Sequence, residues 1–176
     1  MKPLDTFAYP IGKHDLNAPF SVADRRAAVA DMATLPGRFR AAVGTLTDAQ
    51  LDTPYRPGGW TVRQVAHHVP DSHLNAYTRF KLALTEDEPL IKTYEEHLWA
   101  DLPDSRLPVA PSLILLDGLH QRWAALLQNL TDAQWQRRLR HPALGEIVLH
   151  AYIGLYAWHG RHHLAHVAHL SERERW

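Results

Sequence analysis

The chain has 176 residues, which is enough for one domain with a substantial hydrophobic core. Its 19 lysine and arginine residues balance 19 aspartate and glutamate residues, and a chain without net charge is poorly suited to binding nucleic acid or an anionic membrane surface. The chain has no cysteine, which excludes disulfides, thiolate metal sites and cysteine nucleophiles.

The amino-terminal 20 residues differ in pattern from the rest. They contain Pro3, Pro10 and Pro19 without a sustained apolar period, so residues 1–20 are predicted to form an extended arm that lies over the domain. Residues 21–176 are predicted to form a single domain. No apolar run resembles a signal peptide or approaches the roughly 18 residues of a membrane span, so we expect a cytoplasmic protein without a membrane partner.

Apolar residues at steps of three and four predict a first helix from Ser21 to about Leu46, with Pro36-Gly37 expected to kink or break it. A second helix is predicted from Trp60-Thr61 to about Leu84, because Thr61 and Gln64 have the spacing of a capping box. Pro70 predicts a bend within this second helix.

The second half of the chain repeats this alternation of loop and helix. Residues 85–110 are predicted to form a long loop, with one short helix around Tyr94–Trp99. A third helix is predicted after Pro111 to Leu130, and a fourth from about Glu146 to Leu170. No segment has a convincing strand pattern.

Four amphipathic segments predict an all-α protein with the architecture of a four-helix bundle, a fold whose core commonly holds ligands and metals. A short repeat relates the two halves, since Leu46–Gln50 and Leu130–Gln134 have the same sequence, Leu-Thr-Asp-Ala-Gln. This repeat indicates either a two-halved arrangement or simply a favourable helix-capping sequence used twice.

Histidines are concentrated in the predicted fourth helix. Five of the 13 histidines fall within eleven residues, and His159, His163 and His166 project onto the apolar face of that helix. Two imidazoles four residues apart can bind one metal ion, whereas His162 and His169 are expected to lie towards one edge. The alternative is a set of core histidines that form hydrogen bonds to protein and water. A zinc peptidase is disfavoured, because Gly160 occupies the place of the catalytic glutamate.

A third ligand is expected from the second helix, which contains His67 and His68. His68 shares a helical face with Ser72, Asn75 and Arg79, a polar stripe that fits either a lined cavity or an ordinary solvent face. His67 projects about 100° away from this stripe. We therefore predict metal ligation by His68, His159 and His163, with Asn75 and Arg79 as candidates for orienting a substrate.

Several segments together resemble the DinB/YfiT-like metal-binding helical bundles, especially the YfiT-type metal-dependent hydrolases, over nearly the whole chain. The segments that carry this resemblance are Tyr9–Gly12, Leu51–Arg56, Gly58–Val65, His67–His68, Asp71–His73, Arg79–Leu82 and Leu155–His159. The resemblance implies an up-down four-helix bundle, a homodimer, and one divalent metal ion per subunit on His68, His159 and His163. Pro70 departs from the small residue that is usual in the family.

The same resemblance implies an enzyme, either a hydrolase or a transferase that attaches a low-molecular-weight thiol such as bacillithiol to an electrophile. Three neutral imidazoles would leave the charge of the ion uncompensated, so an anionic nucleophile derived from water or from a thiol is expected. Thiol transfer is placed ahead of hydrolysis of a small ester or amide, because the sequence offers no evident general base. Zinc, nickel and iron all accept imidazole, and a non-catalytic metal-binding module for stress response is the remaining alternative.

Overall fold

The computed structural model describes residues 6–176; the prediction for residues 1–5 of the arm lies outside the described part. The elements are seven α-helices, one 3₁₀ helix and two strands in the described chain. They are α1 (Val22–Val43), α2 (Asp48–Leu51), α3 (Val62–Thr85), α4 (Glu96–Trp99), a 3₁₀ helix (Pro103–Arg106), α5 (Ala110–Gln128), α6 (Asp132–Trp135), β1 (Arg138–His141), β2 (Gly145–Val148) and α7 (Leu149–Glu174).

The first long helix begins with a capping box, in which Ser21 and Asp24 satisfy each other's backbone N–H groups. Pro36 lies inside α1, which continues past it to Val43, so of the kink or break expected at Pro36-Gly37 the break does not occur. Proline lacks only its own N–H, and the carbonyl that it leaves without a helical donor, that of Met32, accepts a hydrogen bond from another helix instead.

The second long helix, α3, begins where its sequence indicates. Thr61 is the N-cap, and its backbone N–H donates to Oε1 of Gln64 at 3.0 Å while its hydroxyl accepts from the Gln64 N–H at 3.1 Å. Pro70 lies inside α3, which runs on to Thr85. The prediction of a helix from Thr61 to Leu84 is confirmed to within one residue at each end.

The connection between α3 and α5 contains two short helical turns, α4 and the 3₁₀ helix, where one short helix was expected. The connection between α5 and α7 differs from its prediction. Antiparallel β1 and β2 form a hairpin there, so Glu146 belongs to a strand and the last helix begins at Leu149. Only Leu139 and Ile147 face inward from the two strands, and strands of four residues are too short to show an alternating pattern.

The four long helices form a bundle, which confirms the predicted all-α four-helix fold. The main contacts pair α1 with α5 and α7, and α3 with α5 and α7. Of the consecutive long helices, α3 and α5 are therefore neighbours, whereas α1 and α3, and likewise α5 and α7, lie across the diagonal of the bundle. The connections 44–61 and 129–148 are long enough for this arrangement, and each contains one copy of the Leu-Thr-Asp-Ala-Gln repeat.

The two repeats adopt the same local structure. Thr47 and Thr131 are N-caps of α2 and α6, and each forms a capping box with the glutamine three residues later. Both copies thus act as capping sequences, which agrees with either interpretation of the repeat. No helix within residues 6–176 is long and apolar enough to cross a membrane.

Candidate metal centre

Three imidazole rings from two helices meet between α3 and α7. His68 lies near the start of α3, and His159 and His163 are one turn apart on α7. The Nε2 atom of His159 is 3.2 Å from Nε2 of His68 and 3.2 Å from Nε2 of His163. The structure therefore brings together the three residues that the sequence singles out.

The spacing of these nitrogens suits one metal ion. Two imidazole nitrogens at about 2.1 Å from the same tetrahedral ion lie about 3.4 Å apart. The observed separations of 3.2 Å are close to this value, and three nitrogen donors without a thiolate suit zinc, nickel or iron. The donor set thus fits a divalent ion, and ligation by the three residues stays a prediction.

The protonation of these rings also favours a metal. Burial lowers the pKa of His68 to about 4, and burial together with neighbouring imidazoles holds the pKa values of His159 and His163 well below their usual range. An imidazole binds a metal only in its neutral form. At neutral pH the three rings therefore need not lose a proton to become ligands.

The three nitrogens open onto a cavity of about 380 Å³. Its wall includes the aromatic rings of Tyr9, Trp60 and Trp158, of which Tyr9 belongs to the amino-terminal arm. The charged side chains in the wall are Arg56 and Glu96. Sequence reasoning assigned no role to these two residues, because each lies in a connection between long helices and has no periodic pattern.

The position of His162 was predicted incorrectly. It was expected towards an edge of the fourth helix, but it is buried and lines the cavity. Its ring stacks on Trp158 at a centroid distance of 4.6 Å, and Tyr9 of the arm lies 5.9 Å away on another side. The arm covers a face that the helical period alone leaves open. His169, which was expected towards the same edge, is exposed.

A second group of potential ligand atoms, from His162, His163 and His166, lies beside the first. Some of its ring nitrogens already form hydrogen bonds. His166 Nε2 donates to the carbonyl of Ala8 at 3.2 Å, and its Nδ1 lies 3.4 Å from Nδ1 of His163. His163 therefore uses Nδ1 towards His166 and presents Nε2 to His68 and His159.

His67 belongs to neither group. Its Nδ1 lies 2.7 Å from the hydroxyl of Ser112, and its Nε2 donates to the carbonyl of Leu107 at 3.0 Å. Both ring nitrogens are thus engaged on the side of α3 that faces α5. The choice of His68 over His67 agrees with this geometry.

Asn75 and Arg79 are not among the residues that line the histidine cavity. Arg79 donates to the hydroxyls of Tyr152 and Tyr156, both at 3.3 Å, and to the carbonyl of Lys92 at 2.8 Å. The Asn75 side chain donates to the carbonyl of Asp71 at 2.9 Å. Asn75 lines two other depressions whose walls include Lys92, and Arg79 lines one of them. Arg56 and Glu96 occupy the positions from which a substrate at the histidines could be contacted.

Two further buried histidines contact the site, and sequence reasoning gave them no role. His73 of α3 places Nε2 at 3.1 Å from Nδ1 of His159, and its Nδ1 lies 2.9 Å from Nε2 of His120 of α5. His120 follows Leu116 by four residues and precedes Trp123 by three, so it lies on the apolar stripe of its helix. A histidine within an apolar stripe is the signal that could have identified it.

Gly160 directly follows the first histidine on α7. A Cβ atom at this position would lie 2.6 Å from Cδ2 of Leu35, so the glycine allows α7 to approach α1 closely. The position thus faces the helix interface. A glutamate could not reach the cavity from there, which gives a structural reason for the absence of the zinc-peptidase pattern.

Comparison with known proteins agrees with the fold and the site. The DinB superfamily matches residues 32–167. A protein of Bacillus cereus named "Putative metal-dependent hydrolase" is 50% identical over 98% of this chain and 100% of its own length. A protein of Bacillus mycoides, named in the same words, is 52% identical over 96% of this chain and 97% of its own length.

A solved structure shows the same architecture. It is YfiT from Bacillus subtilis, described as "a probable metal-dependent hydrolase with an unusual four-helix bundle topology". It superposes with a TM-score of 0.93 at 46% identity, covering 97% of this chain and 99% of YfiT. The diagonal placement of α1 and α3, and of α5 and α7, is in keeping with that description. The chain described here belongs to the DinB superfamily.

Proposed function

We propose that this protein is a metal-dependent hydrolase that holds one divalent ion per subunit on His68, His159 and His163 and cleaves a small ester or amide. The observation that carries the proposal is that Nε2 of His159 lies 3.2 Å from Nε2 of His68 and 3.2 Å from Nε2 of His163 on the wall of a cavity. The names of its Bacillus relatives, which share about half of its sequence, support the same reaction class.

The cavity walls supply the other groups that hydrolysis needs. Bound at the three histidines, a divalent ion supplies Lewis acidity that lowers the pKa of a coordinated water or thiol. Glu96 is the carboxylate in the wall, and we assign it the acceptance of a proton from the nucleophile. Arg56 contributes a positive charge that can orient an anionic substrate group, while Trp60 and Trp158 exclude water from its apolar part.

Thiol transfer is the second candidate. It is favoured by the position of Glu96, which is exposed on the four-residue helix α4 and so is less firmly placed than a buried general base. A thiol needs no such base once a metal lowers its pKa. The sequence ranked transfer first because no base was evident; the carboxylate in the cavity wall now supports hydrolysis instead. The open cavity beside the Nε2 atoms argues against a purely non-catalytic metal-binding module.

The proposal is tested on untagged protein loaded with zinc, nickel or iron and assayed against a panel of small esters and amides. A parallel assay offers a small thiol with a bromoalkyl electrophile. Metal-dependent hydrolysis that disappears in the His159→Ala variant supports the proposal. Metal-dependent conjugation without hydrolysis would replace it by thiol transfer, and a metal-loaded protein inactive in both assays would favour the non-catalytic alternative.

A further inference from the structure

A proline inside α1 leaves one backbone carbonyl of that helix without its usual donor. Pro36 has no N–H, so the carbonyl of Met32, four residues earlier, lacks its usual helical donor. Nδ1 of His120 lies 2.7 Å from this carbonyl oxygen and is buried with it. Because a carbonyl oxygen can only accept, Nδ1 of His120 must carry the proton of this hydrogen bond.

The position of the proton on His120 determines the positions of the protons on His73 and His159. His120 and His73 are buried, and their hydrogen bonds go to other imidazoles and to a backbone carbonyl rather than to an acidic group, so each ring is taken as neutral with one N–H. With Nδ1 protonated, His120 presents an acceptor at Nε2, and Nδ1 of His73 at 2.9 Å must donate to it. Nε2 of His73 is then an acceptor, so Nδ1 of His159 at 3.1 Å donates.

The result for His159 is a ring with its proton on Nδ1 and a lone pair on Nε2. This lone pair points to the place where Nε2 of His68 and Nε2 of His163 lie 3.2 Å away. We call the three rings His159, His73 and His120 the inner histidine chain. It runs from the candidate metal centre to the Met32 carbonyl and involves α1, α3, α5 and α7.

A shorter chain of the same kind reaches His163. Nε2 of His166 lies 3.2 Å from the carbonyl of Ala8 and must donate to it, so Nδ1 of His166 is an acceptor. Nδ1 of His163, at 3.4 Å, donates to that acceptor and leaves its own Nε2 unprotonated. Two lone pairs, on His159 and His163, thus face each other at 3.2 Å.

Two facing lone pairs repel each other, and the repulsion is relieved by a cation between them or, in the metal-free protein, by an N–H donated from Nε2 of His68, which lies 3.2 Å from Nε2 of His159. If His159 and His163 only filled the core, a proton on one of their two Nε2 atoms would be more favourable, because that N–H could donate a hydrogen bond to the other Nε2. The hydrogen bonds to Met32 and Ala8 select the opposite tautomers. Partners of this kind orient metal-binding histidines and fix which nitrogen binds the ion.

We propose that His73, His120 and His166 are positioning residues that fix the tautomers of His159 and His163, so that both Nε2 atoms are metal-ready before any ion binds. The anchors are the Met32 carbonyl, released by Pro36, and the Ala8 carbonyl of the amino-terminal arm. This inference rests on the proposed metal site. It also states which ring nitrogens carry protons in the metal-free protein, and this can be measured without a metal.

The test replaces His120 by leucine, which removes the acceptor for Nδ1 of His73. His73 is then free to carry its proton on Nε2 and donate to His159, which would move the His159 proton onto the metal-facing Nε2. We expect the His120→Leu variant to bind Zn²⁺ at least about tenfold more weakly than the wild type. His120→Gln should restore much of the affinity, because an amide offers a donor for Met32 and an acceptor for His73.

The matched control is His67→Leu. His67 is also buried and also has hydrogen bonds at both nitrogens, but its partners, Ser112 and Leu107, are separate from the histidine cluster. Its loss should lower stability without changing the Zn²⁺ affinity. Equal affinity losses in the His67→Leu and His120→Leu variants would show a general structural effect and overturn the proposal.

The second readout is the ¹⁵N nuclear magnetic resonance spectrum of the histidine rings in metal-free wild-type protein. We expect His159 and His163 to be protonated at Nδ1 and His166 at Nε2. A proton on Nε2 of His159 would overturn the inner histidine chain, even if the His120→Leu variant failed to fold. If the wild type bound no metal, the proposed function would fail, while this spectrum would still decide the tautomers.

Discussion

The Nε2 atoms of His68 and His159 lie 3.2 Å apart although 91 positions separate these residues in the chain. His68 belongs to α3 and His159 to α7, and the two helices pack against each other in the bundle. Each ring is supported on a different side, His68 by Trp60 and His159 by His73. The contact therefore depends on how α3 packs against α7.

Replacing any one of His68, His159 or His163 by alanine should abolish stoichiometric metal binding, because two histidine nitrogens are too few protein ligands to hold the ion. Metal content is measured on purified protein by elemental analysis. His169→Ala, at an exposed position, is the control and should keep full content. His162→Ala should also keep it; loss of metal there with retention in His159→Ala would move the site to the second histidine group.

Removing the metal should lower the melting temperature, because an ion that binds only the folded state stabilises it by mass action. A free ion concentration of about 100 times the Kd adds about 2.7 kcal/mol, which is roughly 5–10 °C for a chain of this size. The measurement is thermal unfolding before and after chelation. An unchanged melting temperature after verified removal would mean that the histidines serve only as core residues.

The metal-free protein should lose stability as the pH falls from about 6.5 to about 4. Burial lowers the pKa of His68 to about 4, and the pKa values of His162 and His166 are also lowered to about 4, from an ordinary value of 6.5. In this window the unfolded chain binds more protons than the folded one, so the free energy of unfolding decreases with acidification. The stabilisation is fully present above pH 6.5.

This pH dependence is measured by denaturant unfolding of the metal-free protein at several pH values. The His68→Gln variant, which removes one of the depressed pKa values, should show a shallower slope than the wild type. A slope of the opposite sign would show that the histidines are charged in the folded state.

Glu96→Gln should lower kcat for hydrolysis by about 100-fold without changing metal content, because it removes the proposed proton acceptor but no ligand. Arg56→Gln should mainly raise KM for anionic substrates, since its charge is assigned to orientation. Steady-state kinetics on the metal-loaded variants separates the two effects. Unchanged kcat in Glu96→Gln would remove the argument that places hydrolysis ahead of thiol transfer.

The homodimer implied by the family resemblance stays a prediction. Large apolar side chains are exposed in the connection before α5 and on α5 itself, including Leu90, Leu98 and Ile114 at 73%, 56% and 67% exposure. Their burial against a second copy would account for this exposure. Light scattering after size-exclusion chromatography should give twice the mass of the chain, and a monomer at micromolar concentration would contradict the prediction.

Local sequence was sufficient for much of the fold. The capping box at Thr61 and Gln64 marked the start of α3, and the apolar periods located all four long helices. These signals act between residues three or four positions apart, so a linear chain displays them. The pair His159 and His163, one helical turn apart, was visible for the same reason.

Contacts between distant segments could not be found in this way. The short hairpin of β1 and β2 has too few residues for a period, and Arg56 and Glu96 lie in connections whose course depends on the packed bundle. Pro36 has a different structural role in the fold from the one that its sequence pattern indicates. The sequence indicates only a broken helix, whereas the fold places His120 on the carbonyl that this proline releases.

The sequence by itself thus determined the helices, the family resemblance and the three histidines expected to bind a metal. Only the tertiary structure decided that α1 and α5 lie diagonally opposite α3 and α7, respectively, that the arm covers His162, and that His73 and His120 support His159. The physical reason is that helix periodicity fixes which face a side chain occupies, while the direction of a buried hydrogen bond depends on groups brought together from separate helices.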